Sequence, residues 1–284
     1  SGTDSFVGGG EGNTASGDNS TVGGGWDNDA TGYISTVGGG YSNETSGYNS
    51  TVAGGQDNTA SGGWSTVGGG WANDATGTYA TVGGGESNTA AGDYSFAVGR
   101  RAKIDVAHDG TFMFADQTNA DFNSAAVNEF AVRANGGVRF ITDSGSGAGV
   151  GLGSGDTSWN VLSAKDSKEN YTHVDAVHIL EQVVELPIER WNYRHQDDSV
   201  KHIGPYAEDF HAAFGLHGES NRTISSQDLD GVALAAIQGL NLKLEAKQTV
   251  IDRLEAELAK QRAASDEQFA SLEQRLLAME ASMN

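Results

Sequence analysis

The sequence lacks cysteine altogether, which excludes a disulfide framework and any metal site built on thiolates. It contains only two prolines, and glycine does not recur at every third residue, so a collagen-like triple helix is also excluded. No apolar run approaches the roughly 18 residues that a membrane-spanning helix needs. We therefore expect no membrane insertion of this segment.

Positive charge is scarce throughout the chain and missing from its first third. The 284 residues include 17 Lys and Arg against 38 Asp and Glu, which gives a formal net charge of −21 at pH 7. No Lys or Arg precedes Arg100, whereas ten acidic residues do. Because such a surface repels phosphate backbones and anionic lipids, we expect no nucleic-acid partner.

What the first third has instead is a repeat of fifteen residues. A fixed period this short, kept over this many copies, indicates a solenoid rather than a compact fold. The sequence begins within the pattern at "SGTDSF", so we expect it to be a segment of a longer protein. Three columns keep the period: Val7, Val22, Val37, Val52, Val67 and Val82; Asn13, Asn28, Asn43, Asn58, Asn73 and Asn88; and Gly17, Gly32, Gly47, Gly62, Gly77 and Gly92.

Each repeat contains two alternating triplets, Ser-x-Val-x-Gly and Asn-x-Ala-x-Gly, both present in "STVGGGWDNDATG" (20–32). Period-two alternation places each triplet on one face of a short strand, so the interior of the coil holds only small side chains. Such an interior buries little apolar area against a backbone ordering cost of about 1–2 kcal/mol per residue. We expect hydrogen bonds between turns and contacts with neighbouring chains to supply the missing stabilisation.

Residues 1–105 resemble the head of trimeric autotransporter adhesins in these triplets and in "SFAVGRRA" (95–102). The resemblance implies a left-handed parallel β-roll, or solenoid, whose three chains pack around one axis. It further implies a rigid extracellular rod or tip, on a bacterial surface or on a phage or phage-like tail fibre.

Aromatic residues that recur in this region form the candidate ligand surface. Neighbouring turns lie about 4.7–4.9 Å apart, so rings in one column can stack. The rings would offer a platform for sugar faces or an adhesive stripe; alternatively, they form a ladder that seals the trimer or stiffens the coil. The acidic residues are scattered singly, without the oxygen spacing of a calcium loop, so we expect no metal and no cofactor. The two columns contain Trp26, Tyr41 and Trp71, and Trp64, Tyr79 and Tyr94.

Residues 106–162 no longer follow the period, and we expect them to form a short β-rich shaft with interleaved chains. "NEFAVRANGGVRFIT" (128–142) alternates apolar and polar residues around Asn135-Gly136-Gly137, which predicts a hairpin or a pair of strands about a tight turn. "SGSGAGVGLGSGD" (144–156) carries too few side chains for a core of its own, and we expect it to be flexible or β-prism-like.

From Ser163 onward charged residues become frequent and helical spacing appears. The patterns predict a helix over 174–186, a strand over 188–194, and a turn into a helix over 202–216. A long amphipathic helix is predicted to follow, over about 230–283.

The long helix carries the 3-4 apolar spacing of a coiled-coil seam, with Lys247 as a polar interruption. The spacing predicts a trimeric coiled coil or three helical arms that grip the shaft; alternatively, a single amphipathic helix packs on its own domain. An 11-residue gap divides the seam, a stutter that locally unwinds a supercoil. The seam residues are Ile237, Leu240, Leu244, Ile251, Leu254 and Leu258 before the gap, and Phe269, Leu272, Leu276, Met279 and Met283 after it.

Residues 163–284 are similar to the intramolecular chaperone domain of endosialidases and of other phage tail spikes and fibres, a family of self-cleaving peptidases. The similarity rests on "SAKDSKEN", "LPIERWNY", "HIGPYAEDF" and "DGVALAAIQGL", in this order. It implies a small α+β domain that trimerises and carries a Ser/Lys dyad for self-cleavage. The family pattern Ser-Asp-x-x-x-Lys falls on Ser163 as the nucleophile and Lys168 as the base, and the bond cut is Leu162–Ser163.

One position departs from the family pattern, since Ala164 stands where the family has aspartate. The nearest acid within the loop is Asp166, and His202 in "HIGP" is a second candidate helper of the dyad. A lysine acts as a base only when it is neutral, and burial in an assembled trimer would favour that form. If a carboxylate must orient the dyad, cleavage is slow or absent.

Together these features predict a homotrimeric fibre or surface adhesin, mainly β with an α+β C-terminal part. Repeats of fifteen residues can pair one turn out of step at little cost, so a C-terminal domain that gathers three chains would set their register. The only enzymatic activity expected is that of the C-terminal domain, which would act at most as a single-turnover serine endopeptidase. The expected partners are two further copies of the chain and a cell-surface glycan or protein receptor.

Two other function classes stay open. A purely structural rod with a non-cleaving trimerisation domain would keep its chain intact after folding. A glycan-processing enzyme would need paired carboxylates in a pocket, whereas the repeat offers isolated aspartates.

Overall fold

A computed structural model describes residues 1–145, 148–161, 163–216, 218 and 220–282 of the chain. The chain divides into two compact units, Ser1–Leu162 and Ser163–Asn284. The first unit contains a parallel β-solenoid followed by a small antiparallel sheet, and the second contains three α-helices and a two-stranded sheet.

The solenoid has about nine turns, and its strands form two parallel sheets that run along the coil. Within the repeats, neighbouring strands pair fifteen residues apart, so that Thr36 lies between Thr21 and Thr51. This register confirms the solenoid that the period predicts. The nine-stranded sheet contains Phe6–Val7, Thr21–Val22, Thr36–Val37, Thr51–Val52, Thr66–Val67, Thr81–Glu86, Phe96–Arg100, Phe112–Ala115 and Phe130–Arg133. The eight-stranded sheet contains Thr14–Ala15, Asp29–Ala30, Glu44–Thr45, Thr59–Ala60, Asp74–Ala75, Thr89–Ala90, Ala102–Ile104 and Phe122–Asn123.

The interior of the coil is lined by the small side chains of the two triplets. Ser20 and Val22 from one triplet, and Asn28 and Ala30 from the other, are fully buried. The residue between each pair, such as Thr21, is partly exposed. The alternation in the sequence therefore predicts correctly which of these residues face inward. Because their side chains are small, the core of the coil is narrow.

A ladder of buried asparagine side chains connects the turns of the coil. The Nδ2 group of Asn58 donates to the carbonyl oxygens of Gly54 at 3.1 Å and Gly70 at 2.9 Å, and to Oδ1 of Asn43 at 3.0 Å. Its own Oδ1 accepts from the backbone N–H of Asn73 at 3.1 Å. The same bonds recur from Asn28 to Asn88, so each amide is satisfied by the turns on both sides.

The glycine beside this ladder is required by its conformation and by close packing. Gly25 has φ +98°, a region that side chains other than glycine rarely adopt. A Cβ atom added there would meet the carbonyl oxygen of Gly40 and the side-chain amide of Asn28. Glycine at this column therefore lets each turn lie close enough for the asparagine ladder to form.

The stacked sheets continue past residue 105, although the fifteen-residue spacing does not. Phe112 pairs sixteen residues after Phe96, and Phe130 pairs eighteen residues after Phe112. Their three rings stack with centroids 4.9 and 5.2 Å apart. The rings maintain the stacking of turns while the loops between them lengthen.

The strands on either side of Asn135-Gly136-Gly137 belong to different sheets. Phe130–Arg133 is the last strand of the solenoid, whereas Val138–Ile141 pairs antiparallel with Gly149–Leu152. The prediction of a hairpin is therefore wrong, because pairing with the previous turn replaces pairing across the bend. A pair of strands about a tight turn is confirmed, with Gly137 N–H donating to the Ala134 carbonyl at 2.8 Å.

The small antiparallel sheet has three strands, Val138–Ile141, Gly149–Leu152 and Asn160–Val161. Residues 149–152 of the glycine-rich stretch thus form a strand, while residues 146 and 147 lie outside the described residues. The rings of Phe140 and Trp159 lie 5.6 Å apart.

The last turn of the solenoid is closed by an ion pair between Arg133 and Asp116. The guanidinium donates to Asp116 Oδ1 at 3.2 Å and to the carbonyl oxygens of Ala120 at 2.7 Å, Arg100 at 3.0 Å and Thr118 at 3.1 Å. The Asp116 carboxylate also accepts from the backbone N–H of Asn135 at 2.8 Å. Hydrogen bonds from Asn135 and Thr118, with that from Arg133, lower the pKa of Asp116 to about 2.

The second unit begins with a 3-10 turn over Lys165–Ser167, and its α-helices are α1 (Ala176–Glu185), α2 (Ala207–Phe214) and α3 (Ser226–Ser282). Strands Glu189–Trp191 and His202–Gly204 form a two-stranded antiparallel sheet between α1 and α2 in the sequence. The elements predicted from the sequence are present, and α3 begins four residues earlier than expected. Residues 283 and 284 lie outside the described residues, and the seam prediction at Met283 with them.

Helix α1 packs against the first third of α3. Gly239 is buried there, and a Cβ atom at this position would meet the backbone of Ala176 and the side chain of Leu180. Val232 and Ala236 are buried on the same face, and Lys243 Nζ lies 2.9 Å from Glu181 Oε1. These contacts fix the N-terminal turns of α3.

Replacement of Asn58 by alanine tests the ladder. The substitution removes the bonds to Gly54, Gly70 and Asn43 and leaves buried groups unpaired, so we expect the free energy of unfolding to fall by about 2–4 kcal/mol. Asn13→Ala is the matched control, because Asn13 is only partly buried and, among the described residues, its Nδ2 donates only to the carbonyl oxygens of Gly9 and Gly25; we expect a smaller loss, of about 1 kcal/mol. Denaturant unfolding followed by circular dichroism measures both, and equal losses would contradict the ladder's role.

The Asp116 carboxylate gives the last turn a specific pH dependence. The pKa of Asp116 in the folded chain lies below the ordinary value of 3.8. Its carboxylate therefore contributes fully to folding stability above pH 3.8, and this contribution is lost as the pH falls toward about 2. We expect the melting temperature of the wild type to fall more steeply across this window than that of Asp116→Asn. The control is Asp4→Asn, an exposed carboxylate in the first turn, which should retain the wild-type slope. Equal slopes for Asp116→Asn and wild type would contradict the assignment.

Candidate functional site

The two residues of the predicted dyad lie in direct contact. Lys168 Nζ is 2.6 Å from Ser163 Oγ, which is hydrogen-bond distance for proton transfer between them. The contact is local, since the 3-10 turn at Lys165–Ser167 folds the chain back between the two residues. The sequence prediction therefore identifies a pair that the fold brings together.

A hydroxyl and a phenol hold the shape of this loop. Ser167 Oγ donates to the Ala164 carbonyl at 2.7 Å, which closes the 3-10 turn. The Tyr171 hydroxyl donates to the carbonyl oxygens of Lys165 and Lys168, the latter at 2.9 Å. The backbone of Lys168 is thus held from its C-terminal side, which restrains where its side chain can reach.

A third side chain, from the first turn of α3, also contacts the nucleophile. Gln227 Nε2 donates to Ser163 Oγ at 3.1 Å, across 64 positions of sequence. Nothing in the sequence points to this residue. No local spacing connects it with the dyad, so only the packing of α3 reveals the contact.

The two candidate helpers are not part of this cluster. Asp166 is exposed in the 3-10 turn, and among the described residues neither Ser163 nor Lys168 donates a hydrogen bond to its carboxylate. His202 lies against the ring of Trp191 at 4.8 Å, and its Nε2 is 3.0 Å from Gln196 Oε1. Packing in the two-stranded sheet thus gives His202 other partners.

Both members of the dyad are exposed in the single chain. Residue 162, on the acyl side of the predicted scissile bond, lies outside the described residues.

The second aromatic column is longer than the sequence predicts, and most of its neighbouring rings stack face to face. Tyr79 stacks on Trp64 at 5.0 Å and on Tyr94 at 5.1 Å, with interplanar angles of 11° and 10°. Tyr33 and Tyr48, from a neighbouring column, continue the ladder, with Tyr48 4.9 Å from Trp64. Tyr48 meets Trp64 edge to face at 63°, whereas the other neighbouring rings of the ladder stack and cover one another's faces. The stacked rings therefore offer a ligand mainly their edges and hydroxyl groups.

The first aromatic column is built differently. Trp26 and Tyr41 meet edge to face at 78°, with centroids 6.0 Å apart. Gln56 occupies the next turn, so Tyr41 and Trp71 are separated by one turn without a ring. Trp71 Nε1 donates to Asp57 Oδ2 at 3.2 Å, which fixes the indole at the surface. This column is the better candidate for a ligand that stacks on ring faces.

The apolar seam of α3 is exposed along its length in the single chain. Its residues from Ile237 to Leu258 are 46–62% exposed, and Phe269 is 68% exposed. Helix α1 covers a different face, that of Val232, Ala236 and Gly239. Among the described residues of the second unit, none covers the seam between Ile237 and Met279.

No cluster of acidic and histidine side chains within the described residues could hold a metal ion. Among the same residues, no helix is both long and apolar enough to span a bilayer. Comparison with known proteins finds no matching family model and no matching curated protein.

Proposed function

We propose that the chain is one subunit of a homotrimeric fibre or surface adhesin whose C-terminal unit aligns three copies and then releases itself by cutting the Leu162–Ser163 bond. The observation that carries this proposal is the Ser163–Lys168 contact of 2.6 Å, which stands at the start of the second unit. The resemblance of residues 163–284 to intramolecular chaperones of phage tail proteins supports it.

The solenoid creates the need for such a unit. Its middle turns repeat the same backbone pairing and the same asparagine bonds, so three copies displaced by one turn would present nearly the same surfaces to one another. Register must then be set by a part of the chain that does not repeat. The second unit does not carry the fifteen-residue repeat, and its seam contains features that occur once, such as Lys247 and the stutter.

Helix α3 is suited to gather the copies. In a heptad that begins at Ile237, the seam residues before the stutter occupy positions a and d; in a new heptad that begins at Phe269, so do Leu272, Leu276 and Met279 with Phe269 itself. Burial against two further copies would remove these side chains from water. The 57 residues of α3 give a helix of roughly 85 Å, far longer than the stretch that α1 covers. A second and third copy are the partners that would cover the whole seam.

Charges beside the seam favour a parallel arrangement in register. In parallel helices the g position of one chain faces the e position five residues later on its neighbour. Glu257 then faces Arg262 of the neighbouring copy, and beyond the stutter Arg275 faces Glu280. Both pairs join opposite charges, so each half of the seam favours the same orientation and the same register.

The self-cleavage step follows from the dyad. The Oγ atom of Ser163 attacks the carbonyl carbon of residue 162 while its proton passes to neutral Lys168. The C–N bond breaks, and the departing amine takes a proton from Lys168, which leaves an ester on Ser163. Water hydrolyses that ester to the carboxylate of residue 162 and the free hydroxyl of Ser163. Trimer formation would supply the burial that makes the lysine neutral.

At the surface of the head, the first aromatic column is the proposed receptor contact. Tyr41 and Trp71, with Gln56 and Asp57 between them, combine ring surface with amide and carboxylate groups, which suits a cell-surface glycan. The stacked second ladder is better suited to stiffening the coil.

A non-cleaving structural rod is the second candidate, and one observation favours it. Ala164 replaces the family's aspartate, and among the described residues no carboxylate hydrogen-bonds with Ser163 or Lys168. In that case the chain would still trimerise and would remain intact.

Because the chain has no cysteine, single cysteines can report on assembly. We expect oxidation of Leu254→Cys, at a d position, to link chains covalently, since identical positions meet in a parallel coil in register. Ala256→Cys, on the outer face two residues away, is the control and should not link. Light scattering of Ser163→Ala, which should keep both units covalently joined, should give the mass of three chains. A monomer would refute trimerisation, whereas a trimer without the Leu254 link would refute the parallel register alone.

Denaturing gels of wild type, Ser163→Ala and Lys168→Ala test self-cleavage. We expect two fragments that meet at residue 163 in the wild type and a single intact band in both variants. An intact wild type that is trimeric by light scattering would establish the structural rod instead.

A further inference from the structure

The Ser163 hydroxyl is held by one local and one distant side chain. Lys168, five residues away, reaches Oγ at 2.6 Å through the 3-10 turn. Gln227 reaches the same atom at 3.1 Å from the first turn of α3. The first contact needs only a turn, whereas the second exists only when α3 has formed and docked.

We propose that Gln227 is the third residue of the cleavage site and makes cleavage depend on the folding of α3. This inference rests on the self-cleavage proposed above and adds to it a residue and the element that carries it. Gln227 binds the reacting oxygen and fixes the direction of its proton.

The hydrogen-bond geometry of a serine hydroxyl explains the role. Oγ carries one proton and two lone pairs. When Gln227 Nε2–H donates to one lone pair, the proton remains free to point at neutral Lys168, and the second lone pair remains free to attack. As the proton leaves, negative charge develops on Oγ, and the bond from Gln227 strengthens because its acceptor becomes charged.

The packing of α3 explains why the Gln227–Ser163 contact depends on folding of the second unit. Val232, Ala236 and Gly239 bury the N-terminal part of α3 against α1, and the Lys243–Glu181 ion pair lies on the same side. Gln227 stands one to three turns before these residues on a single continuous helix. Its side chain is therefore positioned only after helix and partner have docked.

Rates of self-cleavage test this role in the full-length chain. Pulse-labelled chain from cell-free synthesis is transferred to buffers of increasing pH, and samples are quenched in denaturant for gel analysis. Gln227→Met preserves the shape of the side chain and its helix propensity but cannot donate, so we expect the rate to fall about tenfold or more at every pH. Gln238→Met, three turns further along α3, is the matched control and should cleave at the wild-type rate.

Gln227→Glu separates a role at the reacting atoms from a structural one. A carboxylate beside Lys168 favours the ammonium form, so we expect the pH at half-maximal rate to move upward, a change that a weakened helix would not cause. Circular dichroism and light scattering establish that the variants fold and assemble alike.

The outcomes separate the two proposals. If wild type cleaves and Gln227→Met cleaves equally fast, or if Gln238→Met slows as much, the role of Gln227 is refuted while self-cleavage stands. An unmoved pH profile in Gln227→Glu also refutes it. If the wild type does not cleave, self-cleavage fails and the role of Gln227 fails with it.

Discussion

Hydrogen bonding between successive turns is the interaction on which the first unit depends. The interior of the repeats offers mainly valine, alanine, serine and asparagine side chains, and the larger Ile104 and Met113 are buried only in the later turns, so apolar burial per repeat is small. The Asn58 amide instead bonds to groups in the turn before and the turn after, and its neighbours repeat the arrangement. A stack held in this way is stable because each turn forms the same hydrogen bonds with the next. For the same reason, the turns do not specify the register in which two copies of the solenoid would pair.

The second unit differs from the first because its sequence has features that can specify a register. Helix α3 carries features that occur once, such as Lys247 within the seam and the stutter between Leu258 and Phe269. In the proposed trimer, a copy shifted by one heptad would place Lys247 opposite a leucine and would break the phase of the stutter. The proposed division of labour follows: the repetitive unit supplies length, and the non-repetitive unit supplies alignment.

The sequence predicts best what depends on period and least what depends on long-range packing. The triplets, the asparagine column and the length of α3 follow from spacing alone. The continuation of the sheets to Arg133 does not, because the spacing lengthens to sixteen and eighteen residues and stacked phenylalanine rings maintain the coil. The Ser163–Lys168 contact is local and was predictable, whereas Gln227 lies 64 positions away and carried no signal.

The dyad begins at the boundary between the two units. A peptide bond cut before Ser163 would divide the chain between the part that repeats and the part that aligns. Once three solenoids are paired along many turns, losing the aligning unit changes none of their hydrogen bonds, but it removes the route by which separated chains could find register again. The rod would then persist through the height of its unfolding barrier, since refolding would have to proceed without the aligning unit. Cleavage before assembly would be harmful for the same reason, so the proposed dependence of the nucleophile on a docked α3 would delay the cut until the second unit has folded.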